Sequence, residues 1–198
     1  MLFRSTLAVA VGESAAGDFR DRALVEQDPH RVLEGALIVG LALGVERVVL
    51  HVRDVHEACR EILAEEMEAV QQELPPVFDL PALELRRGAG VDLAGSATAL
   101  VEAIEGRCPL PGPQPARSAV VAEVETLFWV REVLELGAAR FAGQGCPGHR
   151  GRRAVALSGR VNKPGLKLVP AGTPVQEIIE RHGGGLPTGQ RLGGFHAG

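Results

Sequence analysis

The stretch Gly17-Asp18-Phe19-Arg20-Asp21-Arg22 crowds charge ahead of an apolar helix that begins at Asp28-Pro29, with Glu26 adding a fifth charged side chain to Asp18, Arg20, Asp21 and Arg22. A polar loop feeding a helix N-terminus is where α/β proteins hold phosphate or cofactor, because unpaired backbone N–H groups and the helix dipole both favour an anion there. The same residues could instead tie a solvated loop to its neighbours by ion pairs. Both readings stand on the residues alone.

Other chemistry-bearing patterns are weaker. Gly88, Gly90 and Gly95 follow a strand-like run, but the third glycine comes two residues late for a dinucleotide fingerprint, which leaves turn-making. His51, His56, His149, His182 and His196 have no metal-ligand spacing, and His30 sits at the second position of a helix, where local bonding competes with ligand contact. Cys59, Cys108 and Cys146 are odd in number, far apart and without a CxxC pair, so neither zinc, an iron-sulfur cluster nor a disulfide framework is expected. Ser96, Ser118 and Ser158 lie outside any GxSxG elbow. No metal ligand and no catalytic residue is assigned.

The elements that must position these residues alternate. Residues 6–11 read as a buried strand, 12–27 as a polar loop, and 29–43 as a buried helix capped by Asp28 and closed by Gly44. Residues 48–52 form a second strand; Asp54 opens a second helix in capping-box form that stops at Pro75-Pro76. A third strand at 83–85 leads through a glycine-rich turn into a helix from about Thr98 to Gly106. Strand-loop-helix repeated in this way gives an α/β layer with mostly parallel strands. A proline-rich connector at 107–119 precedes a helix over 121–136 with Trp129 in its core face. From Gly143 to Arg153 glycine and basic residues mark a mobile boundary. A hairpin (154–158 and 166–169) and a helix at 174–182, capped by Thr173, follow, with one further short strand around 194–196. Hairpin then helix is the first half of a β-grasp arrangement.

At 198 residues and 45% hydrophobic content the chain can bury one sizeable core or two small ones. Its formal charge of -4 is dispersed, so neither nucleic acid nor an anionic membrane surface is indicated as partner. No apolar run reaches the roughly 20 residues of a membrane span, and the first residues lack the marks of a signal peptide, so a cytoplasmic location is expected.

These landmarks, in this order, resemble the NADH-binding flavoprotein (F) subunit of respiratory complex I and the related formate dehydrogenase and hydrogenase subunits. The resemblance rests on GDFRDR and DPHRVLEG (17–35), RRGAG (86–90), ALVEAIEGR (99–107), VET (124–126) and SGRVNKPG (158–165). It implies a Rossmann-like flavoprotein domain, placed at 1–148, followed by a β-grasp domain of the soluble-ligand-binding type at 149–198, of which the hairpin and helix are the first half. It also implies FMN and NADH as cofactors, and redox partner subunits, among them a thioredoxin-like iron-sulfur protein. The residues that match the family's cofactor region are Glu13, Gly17, Phe19, Arg20, Asp21, Gly88, Gly90, Gly95 and Thr98.

Several matched positions depart from the family. Where its pattern reads NADEGEPGTFKDR, Ala10 replaces the flavin-contacting Asn, Gly12 the Asp and Ala15 the second Glu, leaving Glu13. The GEET pattern is Gly95-Ser96-Ala97-Thr98, the paired Asn before VET are Ala122-Glu123, and RLKPPFP is replaced at 112–118. The family's glycine-rich flavin loop and its cluster cysteines have no counterpart. An electron-transfer component with a degenerate FMN/NADH site, carrying no cofactor in the isolated chain, is therefore expected. The alternatives are a non-redox scaffold or ligand-binding module built on the β-grasp unit, and a piece of a longer active chain, which would not account for the substitutions.

Overall fold

The computed structural model describes residues 6–13, 17–74, 79–88, 96–108 and 119–196. The chain divides into two compact units, Met1–Ser14 with Asp21–Arg131 and Ala15–Arg20 with Glu132–Gly198.

In the first unit β1 (Thr6–Val11), β2 (Arg47–Arg53), β3 (Ala82–Gly88) and β4 (Ala119–Glu123) form a parallel sheet in the order β3-β2-β1-β4. This is the Rossmann-like α/β arrangement expected from the alternating pattern. Between β1 and β2 lie α1 (Arg20–Gln27) and α2 (Pro29–Leu43); α3 (Glu57–Glu73) and α4 (Ala97–Ile104) make the next two crossovers, and α5 (Val124–Leu136) follows β4. Successive strand residues point to opposite faces. Ala8 and Val49 meet Ala99, Leu100 and Ile104 of α4 on one face. The alternate residues Leu7, Val9, Val48 and Leu50, fully buried, serve the other face.

The expected caps of α2 are present: Asp28 accepts from the Arg31 N–H at 3.1 Å, and Gly44 ends the helix at φ +64°. Three local expectations need correction. The segment 20–27 is a helix rather than a loop, because Ala23, Leu24 and Val25 are buried and the first N–H groups are satisfied from outside, Arg20 by Asp18 Oδ1 at 3.0 Å and Arg22 by Glu13 Oε1 at 2.9 Å. Asp54 does not cap α3. Its carboxylate pairs with Arg87 Nε at 2.7 Å, and the helix starts after His56 with no side-chain cap. Residues 121–123 belong to β4, where pairing with β1 overrides the helical period that runs into them. The glycine and basic stretch before Arg152 is exposed over 147–150 and tied at its flanks, where Cys146 N–H donates to Ala171 O at 2.8 Å and Gly151 N–H to Ala142 O at 3.1 Å.

The second unit is built on the antiparallel pair β5 (Arg152–Leu157) and β6 (Gly165–Pro170), preceded by α6 (Ala138–Ala142) and followed by the turn α7 (Val175–Glu177) and a π-helical turn, Ile178–His182. Thr173 does not cap this helix; its hydroxyl donates to Pro170 O at 2.7 Å. The short strand expected around 194–196 is not formed, and the described residues beyond Gly183 run without regular structure.

Among the described glycines of the first unit the closest approach is at Gly35 of α2, where a Cβ would run into the carbonyl of Leu127 on α5. Arg31 bridges the same pair of helices, donating from Nε to Phe128 O at 2.7 Å and lying 4.3 Å from the Phe128 ring centroid. Gly35→Ala is expected to lower unfolding free energy by about 3 kcal/mol through overpacking, and Gly44→Ala, at a left-handed position with nothing near its Cβ, by about 1 kcal/mol. Urea denaturation of the two variants checks this; equal losses would show that α2 does not need the close approach.

Candidate functional site: the carboxyl edge of the sheet

In an open parallel sheet, ligands bind beyond the carboxyl ends of the strands. Here that edge carries Gly12 and Glu13 after β1, Arg53 at the end of β2 and Gly88 at the end of β3. Each of these positions is already in contact with another part of the chain. Gly12, at φ +145°, lies under Arg53, with the side-chain Cδ 3.0 Å from where a Cβ would stand and His56 Cδ2 at 3.4 Å. Arg53 Nη1 donates to Glu13 O at 3.0 Å. The Glu13 carboxylate is buried, accepts from the Arg22 N–H at 2.9 Å and faces His56 Nε2 at 3.6 Å. At Gly88 a Cβ would be 2.5 Å from His51 Cε1, so the imidazole of β2 occupies the space that a side chain on β3 would need.

Burial lowers the pKa of His51 below that of an ordinary histidine, against the raising effects of its own backbone and of Asp54. His56 is lowered too. Loss of water is the largest cause, with Arg22 and Arg53 adding to it, and together they outweigh the Glu13 and Glu26 carboxylates. The Cys59 thiol, buried and 3.7 Å from Glu26 Oε1, is pushed up to about 12 by burial and then by that carboxylate. It is no nucleophile at neutral pH. Among the described residues, no group of three or more His, Cys, Asp or Glu is placed to hold a metal ion.

The residues singled out from sequence fall into separate groups. Glu13, Asp21, Gly88 and Thr98 belong to the first unit, whereas Gly17, Phe19 and Arg20 group with the second. Gly17, Asp18 and Arg20 line a cleft of about 340 Å³ with Ala154, Val155 and Ser158. Asp21 is buried in the first turn of α1. Thr98 lies in the first turn of α4, its hydroxyl 3.1 Å from that of Ser96, which caps the helix by accepting from Ala99 N–H. Gly90 and Gly95, like the replaced Ala15, lie outside the described residues. His30 pairs with Glu66 at 3.2 Å. Trp129 is core, packed edge-on against Phe128 at 5.1 Å.

Sequence reasoning missed the three groups that fill the edge, His51, Arg53 and His56. The signal was HVRDVH, a polar run at the carboxyl end of an otherwise apolar strand, where alternation puts His51 and Arg53 on the same face.

The Nuo51 FMN-binding domain family matches residues 4–132, and the SLBB domain family matches 154–195. The chain is 32% identical over 207 residues to the F subunit of the NADH-quinone oxidoreductase of Rhodobacter capsulatus, covering 93% of this chain and 46% of that protein. It is 31% identical over 189 residues to the corresponding F subunit of Aquifex aeolicus, covering 87% and 44%. It thus spans about half the length of the curated relatives it matches. Among solved structures it superposes on the NAD+-reducing NiFe hydrogenase in the H2-reduced state with a TM-score of 0.79 and 26% identity, over 88% of this chain and 32% of that one. Among the described residues no helix is long and apolar enough to cross a membrane.

Both imidazoles, His51 buried and His56 half-buried, are neutral in the folded state at pH values where the unfolded chain, titrating near 6.5, binds protons. Their folded pKa values lie below the unfolded one, so the stability they contribute is present above about pH 6.5 and is lost as pH falls through the folded values. The urea midpoint is expected to drop between about pH 7.5 and pH 5.5, with a shallower drop in the His51→Gln/His56→Gln variant. An unchanged slope in that variant would assign the pH dependence to other groups.

Proposed function

This chain belongs to the Nuo51 FMN-binding domain family, and from that premise we propose that it serves an NADH-oxidising electron-transfer assembly as an F-subunit-like component whose own FMN/NADH site is degenerate. The observation that carries the reading is the filled carboxyl edge. Flavin or nicotinamide needs backbone glycines it can approach and polar side chains free to bond it. Of the described residues, Gly12 is covered by Arg53 and Gly88 by His51. The one acidic side chain kept from the family's set, Glu13, is bonded to the start of α1. Ser96, in the GEET position, is bonded to the start of α4. Ala10, in the place of a flavin-contacting Asn, pairs in the ladder with His51 and Glu123 and offers no side-chain hydrogen bond to a ligand. These residues do not fit the cofactor, and no electron-transfer step is assigned to them.

The magnitude supports degeneracy. A hydrogen bond to a charged group is worth about 1.5–3 kcal/mol and each 1.4 kcal/mol is tenfold in affinity, so four or five lost contacts are enough to abolish micromolar binding. What such a chain retains is a scaffold for assembly. The partners proposed are redox subunits, among them a thioredoxin-like iron-sulfur protein, and no cluster is assigned to this chain itself.

The natively purified chain is expected to be colourless, to take up no FMN on incubation with excess cofactor, and to reduce no artificial acceptor with NADH. Visible absorption after desalting and an NADH-ferricyanide assay measure this. Stoichiometric flavin in the desalted protein would overturn the proposed degeneracy.

A further inference from the structure

The β-grasp unit holds a cavity of about 680 Å³, within the range of small-molecule sites. Its floor is apolar, formed by Leu157 of β5, Ile178 and Ile179 of the π-helical turn, and Leu192 and Phe195 from the irregular segment beyond Gly183. Leu192 is 47% and Phe195 61% exposed, so large apolar side chains meet water at one place. Arg160, Arg191 and His196 stand around this floor, and no Asp or Glu lines the cavity. Arg160 and Arg191 make no ion pair or hydrogen bond with another described side chain.

The wall carrying Leu186 is anchored. Asn162 donates from Nδ2 to Gly184 O at 2.8 Å and to Leu186 O at 3.2 Å. The backbone N–H groups of Asn162 and Lys163 bond Gly185 O at 3.0 Å and Gly183 O at 2.8 Å. This side of the cavity exists before any ligand arrives, which lowers the ordering cost of binding.

We propose that this cavity binds a small anion with an apolar body, an aliphatic or aryl carboxylate. The apolar part lies against Leu157, Ile178, Ile179, Leu192 and Phe195, and the carboxylate is held by Arg160 and Arg191. A guanidinium takes a carboxylate in bidentate geometry, and an apolar floor beneath two unpaired cations discriminates against both neutral and cationic molecules of the same length. The assignment is independent of whether the first unit binds FMN.

The test is a nitrogen-15 NMR titration of the full chain with octanoate and, separately, with octylammonium, which has the same carbon chain and the opposite charge. Octanoate is expected to shift the amides of 155–161, 175–179 and 191–196 saturably, at least about tenfold more tightly than octylammonium. The Arg160→Gln/Arg191→Gln variant, altered only at exposed positions, should keep its amide dispersion and lose about tenfold in octanoate affinity. Phe195→Ser should weaken both probes. The proposal is overturned if octanoate leaves these amides unmoved, if the two probes bind equally, or if the double arginine variant binds octanoate as the parent does. An unmoved cavity would leave its apolar floor to a protein partner.

Discussion

The imidazole of His51 packs where a side chain at residue 88 would have to be. With His51 Cε1 only 2.5 Å from the Cβ position of Gly88, any side chain at residue 88 would require the imidazole to shift. Arg53 over Gly12 repeats the arrangement between β2 and β1. Two glycines that would otherwise give a ligand access to the strand ends instead admit side chains from β2. Around these two contacts Arg53 reaches the Glu13 carbonyl, the Glu13 carboxylate accepts from the N-terminus of α1, and Asp54 pairs with Arg87 while the start of α3 has no side-chain cap.

Fold class was legible because it depends on patterns that survive divergence. Apolar β-branched strands, Asp28-Pro29 opening α2 and Gly44 closing it are local signals with local causes, and each appears where expected. What could not be read is what depends on distant partners. Helix α1 has only eight residues, too few for a clear period, and the N–H of its third residue, Arg22, is satisfied by Glu13, nine residues before it. Strand β4 exists because β1 offers it a ladder, and the adjoining helical period concealed it. The candidate site was legible only as a set of positions. Chain order could not disclose that Gly17 and Arg20 group with a different unit from Glu13 and Gly88, nor that β2 supplies the side chains that fill the edge.

The two units contrast in how they treat their polar groups. In the first, the Glu13 carboxylate is buried and bonded while His56 Nε2 is buried without a hydrogen-bond partner, and burial shifts the histidines toward neutrality and the thiol of Cys59 up to about 12. In the second, cationic side chains remain exposed around an apolar floor. The first unit keeps the scaffold of a cofactor domain with side chains of β2 set over the glycines at its strand ends, and the second keeps an open cavity.

If the chain's own residues close the carboxyl edge, FMN and NADH cannot reach the glycines at the strand ends. The most direct measurement is the backbone amide spectrum of Gly12, Glu13 and Gly88 during titration with FMN and with NADH to about millimolar concentration, since contacts worth several kcal/mol would saturate well below it. These three resonances are expected to stay in place while the protein remains folded. Saturable movement of Gly12 and Gly88 with either cofactor would show that Arg53 and His51 give way to a ligand, and that the site is functional.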